Sequence, residues 1–252
     1  MSGHSKWSTI KRKKGKNDAK RGAVFTRLAR EITVAARNGG ADPEINFALR
    51  LAVDRAKTEN MPKDNIERAI KRGTGEVKDG ADLEEIIYEA YATHGIGVMI
   101  EVVTDNRNRT VSDIKHVINK AGGNMAEPGS VSWQFEQKGY IALPNKYDFD
   151  DIFLIVAEAG AEDVTESVEL IEVSTPRELL QIIQETLKEA GIEIEDALLE
   201  WVPKAEIELE VAQAVKVMNV IELLDELDDT QAVYSNLAVT DEVIVQLQTE
   251  AT

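Results

Sequence analysis

The fold is decided by residues 139–203, GYIALPNKYDFDDIFLIVAEAGAEDVTESVELIEVSTPRELLQIIQETLKEAGIEIEDALLEWVP. The apolar residues of this stretch switch between strand-like and helix-like spacing, which predicts six elements, at 140–143, 149–157, 163–166, 169–173, 176–190 and 192–202. The second helix begins with the capping-box pattern Thr175-Pro-Arg-Glu178. The order β-α-β-β-α-β is that of a ferredoxin-like domain.

The sequence on either side of this stretch predicts a second domain of similar design. Before it lie two strands, a helix and a further strand, at 86–92, 97–104, 111–121 and 131–135. After it come a strand, a long helix and a strand, at 205–209, 210–227 and 232–239. Together these segments make a second β-α-β-β-α-β unit with one extra leading strand. We therefore expect 138–203 to be an acidic ferredoxin-like domain inserted into a domain of 81–137 plus 204–252. Simple serial domains remain the alternative.

The first 80 residues have a different pattern, which predicts a small helical domain. Helical spacing of apolar residues indicates three helices, at 17–38, 43–59 and 62–72. Asp42 is expected to cap the second helix, with Pro43 in its first turn and Ile45 on its apolar face. Glycines then punctuate a linker that ends at residue 80. The predicted fold class is α+β with three domains: a three-helix domain, 1–80, followed by two ferredoxin-like domains, one inserted in the other.

Charge is distributed very unevenly along the 252 residues. The whole chain has 29 Lys+Arg and 46 Asp+Glu, a net charge of −17, and a total of this sign argues against a nucleic-acid binder. Residues 1–37, however, contain 11 basic and 2 acidic residues, whereas residues 81–252 contain 10 basic and 36 acidic residues. This asymmetry predicts a basic module attached to an acidic body. We call residues 1–37 the basic segment.

The sequence lacks the motifs that are typical of several other classes of function. The chain has no cysteine, so disulfides, thiolate metal sites and cysteine nucleophiles are excluded. The three histidines, His4, His94 and His116, are scattered, and no phosphate-binding glycine motif is present. We expect no metal, no cofactor, no catalytic residue and no enzymatic activity. Without an apolar run of 18 residues or a secretory signal, we expect a cytoplasmic protein with no membrane contact.

Short motifs along the chain resemble one known family. They include Met1-Ser-Gly-His-Ser-Lys-Trp7, Asp18-Ala-Lys-Arg-Gly22, Asn60-Met-Pro-Lys-Asp-Asn-Ile66, Thr104-Asp-Asn-Arg-Asn-Arg-Thr110 and Gly129-Ser130. In this order they resemble the YebC/PmpR family, over residues 1 to about 243. The resemblance implies a helical domain followed by two α+β domains. It also implies a cytoplasmic DNA-binding transcriptional regulator, while other members of the family resemble ribosome-associated translation factors that relieve stalling at proline-rich stretches.

The basic segment is the first candidate site. Dense cationic side chains neutralise phosphates and release counterions, and an aromatic ring such as that of Trp7 can stack on an unpaired base. The candidate nucleic-acid-binding residues are Lys6, Trp7, Lys11, Arg12, Lys13, Lys14, Lys16, Lys20, Arg21, Arg27 and Arg30. Arg37 lies on the same polar side of the first helix. The alternative is a solvated tail without a nucleic-acid partner.

Arg107 and Arg109 form the second candidate, between a strand and a helix. At a helix start they could bind phosphate. The alternative is a structural turn in which Asp105 and Asn106 cap the helix and the arginines pair with acidic residues. Elsewhere, we expect Asp225 to Asp229 to be a solvated acidic face. Trp133 and Trp201 are expected in the core rather than as stacking surfaces.

The charge pattern favours a monomeric, non-enzymatic, nucleic-acid-binding regulator, and the family resemblance implies DNA as its target and transcription as the process it controls. The first alternative is ribosomal RNA, bound by a translation factor on the ribosome. The acidic body favours that target, since it repels a long duplex but permits a basic tip to enter an RNA-lined cleft. A further alternative is a protein-interaction adaptor that binds no nucleic acid.

Overall fold

A computed structural model describes residues 18–77 and 82–250. Its N-terminal part is three helices, α1 (Asp18–Gly39), α2 (Phe47–Thr58) and α3 (Lys63–Gly73). Their apolar faces meet in one core, in which Ile32, Leu49 and Ala52 are completely buried. Gly73 lies so close to α1 that a Cβ at this position would be only 2.8 Å from the Cβ of Ala36. The three predicted helices are therefore present, and α1 packs against both of the others.

The second helix begins later than predicted. Asn46, not Asp42, is its N-cap, and the Asn46 side chain accepts a hydrogen bond from the Leu49 backbone N–H (3.1 Å). The same side chain donates to the carbonyls of Ala35 (2.8 Å) and Gly40 (2.9 Å) at the end of α1. Because Asn both donates and accepts, it links two helices, which aspartate cannot do. Ile45, expected on the apolar face, is 83% exposed.

The first sheet combines strands from the segments before and after the predicted inserted domain. Its strands are β1 (Glu84–Tyr91), β2 (Gly97–Thr104), β3 (Asn124–Ala126) and β8 (Thr230–Ser235), in the antiparallel order β3-β1-β2-β8. Helices α4 (Arg107–Lys120), α7 (Val211–Asp225) and α8 (Asp241–Glu250) pack on one face of this sheet. The expected leading strand, β1, is therefore an inner strand of the sheet.

The second sheet is formed entirely by the chain between β3 and α7. Its strands are β4 (Phe135–Pro144), β5 (Asp163–Glu166), β6 (Leu170–Pro176) and β7 (Asp196–Pro203). Their order is β5-β6-β4-β7, and α5 (Phe149–Glu158) and α6 (Leu180–Glu189) cover one face. This is the arrangement of a ferredoxin-like domain. The predicted fold class, with one α+β domain inserted in another, is confirmed.

Several local predictions are wrong. Residues 131–135, expected as a strand, contain a 3-10 turn at Ser132–Gln134 before β4 begins. Residues 205–209 contribute one isolated bridge, between Ile207 and Leu237, and α8 was not expected at all. Thr175 does not cap a helix, because it lies inside β6, and α6 follows a separate 3-10 turn after Pro176. The expected linker is described only as far as Val77.

Candidate nucleic-acid interface

The described part of the basic segment packs against a turn rich in carboxylates. We call residues 225–229, from the last residue of α7 to the residue before β8, the acidic turn. Its last residue, Asp229, is only 4% exposed. Asp229 Oδ2 accepts hydrogen bonds from the hydroxyls of Thr104 (3.0 Å) and Thr110 (2.6 Å). The sequence interpretation of a solvated acidic face is therefore wrong for this residue, since its carboxylate is an inner part of the fold.

The partners of Asp229 keep it ionised. Burial raises the pKa of the Asp229 carboxyl, but hydrogen bonds from Thr110, Arg109 and Thr104 lower it by more, and the net pKa lies below its ordinary value of 3.8. The local sequence gives no sign of this, because the threonines come from β2 and α4, more than 100 residues away. A buried, ionised carboxylate of this kind attracts cationic side chains.

Two predicted site residues on α1 bind this turn. Arg27 pairs with the Asp225 side chain, Nη1 to Oδ1, at 3.3 Å, and donates to the Asp225 carbonyl at 2.7 Å. Arg30 pairs with Asp229, Nη2 to Oδ1, at 3.2 Å, and donates to the Asp228 carbonyl. Two helical turns further on, Arg37 donates to the Leu83 carbonyl. The arginine face of α1 is thus directed at the acidic body.

The second candidate site meets the same carboxylate. Asn106 caps α4 by accepting a hydrogen bond from the Arg109 backbone N–H (3.1 Å). Arg109 Nη2 pairs with Asp229 Oδ2 at 2.8 Å and with Asp105 Oδ1 at 3.1 Å. Hydrogen bonding to Asp229 raises the pKa of Arg109. These contacts match the alternative interpretation of the sequence, in which Arg109 pairs with acidic residues in a structural turn. Arg107 is exposed and has no ion pair within the described part of the chain.

Beside the acidic turn lies an open cleft of about 2040 Å³, lined by residues of α1, α2, β2, β7 and β8. Carboxylates dominate the charges of its wall, among them Glu31, Glu85, Glu101, Asp196 and Asp225. Glu101 accepts hydrogen bonds from Trp201 Nε1 (2.7 Å) and the Tyr234 hydroxyl (3.3 Å). Burial nevertheless raises the pKa of Glu101. A cleft with this wall repels phosphate, so the side of α1 that faces it is unsuited to nucleic acid.

The remaining members of the first candidate site precede Arg27 in the sequence. Lys20 and Arg21 are in its first turns, and the structure describes only their backbone. Seven predicted residues lie outside the described residues: Lys6, Trp7, Lys11, Arg12, Lys13, Lys14 and Lys16. Their proposed role stays a prediction.

Sequence reasoning overlooked some exposed groups. Arg68 and Lys71 on α3 are exposed cations. In the net charge of this part of the sequence, nearby acidic residues cancel them. Trp133, expected in the core, is 67% exposed. The alternation of Val131, Trp133 and Phe135 resembles a strand, but the 3-10 turn directs the indole outward. Trp201, by contrast, is partly buried and packs against the cluster of Met99, Val131 and Phe135.

Signals for other kinds of site are weak in the described residues. Between residues 18 and 250, apart from the gap at 78–81, no three His, Cys, Asp or Glu side chains are grouped so that they could hold a metal ion. In the same ranges no helix combines the length and the apolar character needed to cross a membrane.

The fold and the asymmetry of charge define a class: a three-domain α+β protein with a basic helical N-terminal module. The sequence matches the description "TACO1/YebC protein N-terminal domain" over residues 5–76 and "TACO1/YebC second and third domain" over residues 83–237. The chain belongs to the TACO1/YebC family.

Individual relatives agree with this assignment. A protein of Geotalea uraniireducens named "Probable transcriptional regulatory protein" is 51% identical over 242 residues, which cover 96% of this chain and 98% of the relative. A Geobacter sulfurreducens protein of the same description is 49% identical and covers 98% of this chain and 100% of its own. A crystal structure of a conserved hypothetical protein from Aquifex aeolicus superposes with a TM-score of 0.83 at 44% identity, covering 90% of this chain and 94% of that one.

Proposed function

We propose that this protein is a non-enzymatic regulator that binds nucleic acid, with the basic segment in contact with the phosphate backbone. The observation that carries the proposal is the division of positive charge along that segment. Arg27 and Arg30 bind the acidic turn, whereas the 26 residues before Arg27 contain eight basic side chains and a single acid, Asp18. Cationic side chains in this density attract phosphate regardless of base sequence.

Promoter DNA is the target we propose first. Relatives that match almost all of this chain carry the name "Probable transcriptional regulatory protein". Contacts from lysine and arginine to phosphate fix the position of a protein on DNA, but they carry no sequence information. Selectivity for a promoter therefore requires additional contacts, for which exposed Arg107, Arg68 and Lys71 are candidates.

Ribosomal RNA is a second target, and the acidic wall of the central cleft favours it. A body with 36 acidic and 10 basic residues after residue 80 is repelled by the long negative surface of a duplex. A short basic tip on such a body can enter a cleft between RNA strands while the body stays near basic ribosomal proteins. On this alternative the protein regulates translation rather than transcription.

Removal of the basic tip tests the proposal. A variant that lacks residues 1–16 loses six of the eight early basic residues: Lys6, Lys11, Arg12, Lys13, Lys14 and Lys16. We expect its affinity for a fluorescein-labelled 30-base-pair duplex, measured by anisotropy at fixed salt, to fall at least tenfold. A matched control carries Lys115→Gln and Lys120→Gln, which remove exposed cations from α4, and we expect it to bind like the wild type. Equal affinity of the deletion variant and the wild type would contradict the proposal.

Cross-linking in growing cells separates the two targets. Ultraviolet irradiation, recovery of the protein and sequencing of the attached nucleic acids report both DNA and RNA in one experiment. Promoter fragments without ribosomal RNA support control of transcription, and ribosomal RNA without promoter fragments supports the alternative. Recovery of neither would leave a protein-interaction adaptor and overturn the nucleic-acid proposal.

A further inference from the structure

Trp133 is a large aromatic side chain held rigidly at the surface. It lies in the 3-10 turn between β3 and β4 and is 67% exposed. Its indole Nε1–H donates to the Ser130 carbonyl at 2.9 Å. The Trp133 carbonyl accepts a hydrogen bond from Lys204 Nζ at 2.8 Å. These two contacts hold the ring and its backbone in place while most of the side chain stays exposed.

The backbone before Trp133 is fixed by a buried carboxylate. Glu89 on β1 is 7% exposed and accepts hydrogen bonds from the backbone N–H groups of Gly129 (2.7 Å), Val131 (2.5 Å) and Ser132 (3.0 Å). Burial raises the pKa of Glu89, but these three hydrogen bonds and one from the Ser132 side chain together lower it by more, so its net pKa lies below the ordinary value. The turn is therefore organised before any ligand arrives.

The side chain of Val131 adds a second anchor. It is completely buried and packs with Met99 and Phe135. Trp133, two positions later, is mostly exposed. The turn therefore buries the Val131 side chain and leaves the Trp133 side chain at the surface. Packing within the described residues therefore explains Val131 but not the exposed indole. An exposed, preorganised tryptophan is typical of a binding surface.

The chemistry of the site indicates what it binds. Because the indole N–H is already used by Ser130, the ring offers its π-face and no hydrogen-bond donor. Such a face suits stacking, which every base tolerates. The Lys204 ammonium has three donors and uses one on the Trp133 carbonyl, so two remain for an adjacent phosphate. Ring face and ammonium together fit a nucleotide whose base is unpaired.

We infer that Trp133 and Lys204 form a stacking site for an unpaired base of single-stranded nucleic acid, separate from the basic segment. This inference rests on the proposed function, because it adds a second contact to the same class of ligand. A base inside a duplex is already stacked on both faces, so the site binds single strands, loops or ends. The acidic body thereby takes part in binding through an aromatic face and a single lysine, in spite of its net negative charge.

Binding of single-stranded probes tests the site in the full chain. The probes are fluorescein-labelled 16-mers of oligouridylate and of oligothymidylate, which distinguish RNA from DNA, together with a duplex of equal length. Trp133→Ala is expected to weaken binding of at least one single strand about tenfold and to leave duplex binding unchanged. Trp133→Phe is expected to retain most of the affinity, because it keeps an aromatic face. Phe153→Ala, which removes a 46% exposed aromatic side chain from α5, is the matched control without effect.

Fluorine NMR locates the contact directly. The chain has three tryptophans, so 5-fluorotryptophan gives three resonances, of which Trp133→Phe identifies one. Addition of a single strand that binds is expected to shift the Trp133 resonance and to leave that of Trp201 in place. An unmoved Trp133 resonance at saturation, or equal affinity of Trp133→Ala and the wild type for both single strands, overturns the inference.

The outcomes separate this site from the basic segment. If deletion of residues 1–16 leaves binding unchanged while Trp133→Ala weakens it, the proposed role of the basic segment fails and the stacking site stands. If the deletion weakens binding and Trp133→Ala does not, the stacking site fails alone. If no probe binds the wild type, both fail, and the exposed indole is then a surface for a protein partner.

Discussion

Arg30 on α1 and Asp229 before β8 lie 199 positions apart in the sequence and form an ion pair with Nη2 and Oδ1 at 3.2 Å. Arg109 approaches the same carboxylate from α4, with Nη2 to Oδ2 at 2.8 Å. One buried carboxylate therefore joins the helical N-terminal module to the first sheet and its covering helix. This contact also limits which arginines of α1 face outward.

Removal of the Asp229 charge should destabilise the protein. Asp229→Asn leaves two arginines and two threonine hydroxyls around a neutral amide, and loss of a buried ionic partner typically costs about 3 kcal/mol. Urea denaturation at pH 7 measures the change in the free energy of unfolding. Asp228→Asn is the control, since Asp228 is exposed and contributes only its backbone carbonyl to Arg30. Equal stability of both variants would contradict the assigned role of Asp229.

The same carboxylate predicts a pH dependence of stability. Because the folded pKa of Asp229 is below its ordinary value of 3.8, this group stabilises the fold above pH 3.8, and the contribution disappears as the pH falls through the folded pKa. The stability difference between wild type and Asp229→Asn should thus be constant from pH 7 to 5 and shrink below pH 4. Urea titrations at several pH values measure it. A difference that stays constant down to pH 3 counts against an ionised Asp229.

Arg30 is expected to stabilise the fold by an amount that falls as the salt concentration rises. Its guanidinium is partly buried, with 20% of the side chain exposed, so Arg30→Gln is expected to cost about 1–2 kcal/mol at low ionic strength. Salt screens the part of this attraction that reaches solvent. The difference in melting temperature between Arg30→Gln and wild type should therefore narrow between 0.05 and 1 M NaCl. Arg27→Gln, with a more exposed pair, should show a smaller difference throughout.

The close approach of α3 to α1 predicts a steric effect at Gly73. A methyl group there would press on the Thr33 carbonyl and the Ala36 side chain, and overpacking of this kind costs about 1–3 kcal/mol. Thermal unfolding of Gly73→Ala should show the loss. Gly22→Ala, in a part of α1 where an added Cβ meets nothing within 4 Å, should instead gain up to about 1 kcal/mol from helix propensity. A neutral Gly73→Ala would show that the two helices are less tightly packed than described.

The parts of this structure that sequence can predict are those fixed by local periodicity. The alternation through residues 139–203 was sufficient for the order of the inserted domain, and glycine and apolar spacing located α1 and α3. The errors share a physical cause, which is a partner distant in sequence. Asn46 caps α2 because the end of α1 offers it two carbonyls, and Trp133 is exposed because Glu89 holds the preceding backbone in a turn.

The candidate site was predictable only as a distribution of charge. The sequence located the basic segment, but it could not reveal that Arg30 and Arg109 would share one carboxylate, because Asp229 is embedded in a run of acidic residues typical of a solvated helix end. Only the tertiary fold, which brings Thr104 and Thr110 to that carboxylate, makes Asp229 a buried acceptor.

The dependence of binding on salt tests the central claim most directly. If the basic segment neutralises about five phosphates, the logarithm of the affinity for a duplex should fall with the logarithm of salt concentration at a slope of about −4 to −5. Anisotropy titrations of the wild type between 50 and 300 mM NaCl give this slope, and deletion of residues 1–16, which leaves only Lys20 and Arg21 before Arg27, should reduce it to about −2 or less. A flat dependence for the wild type, or an unchanged slope after the deletion, would contradict the account.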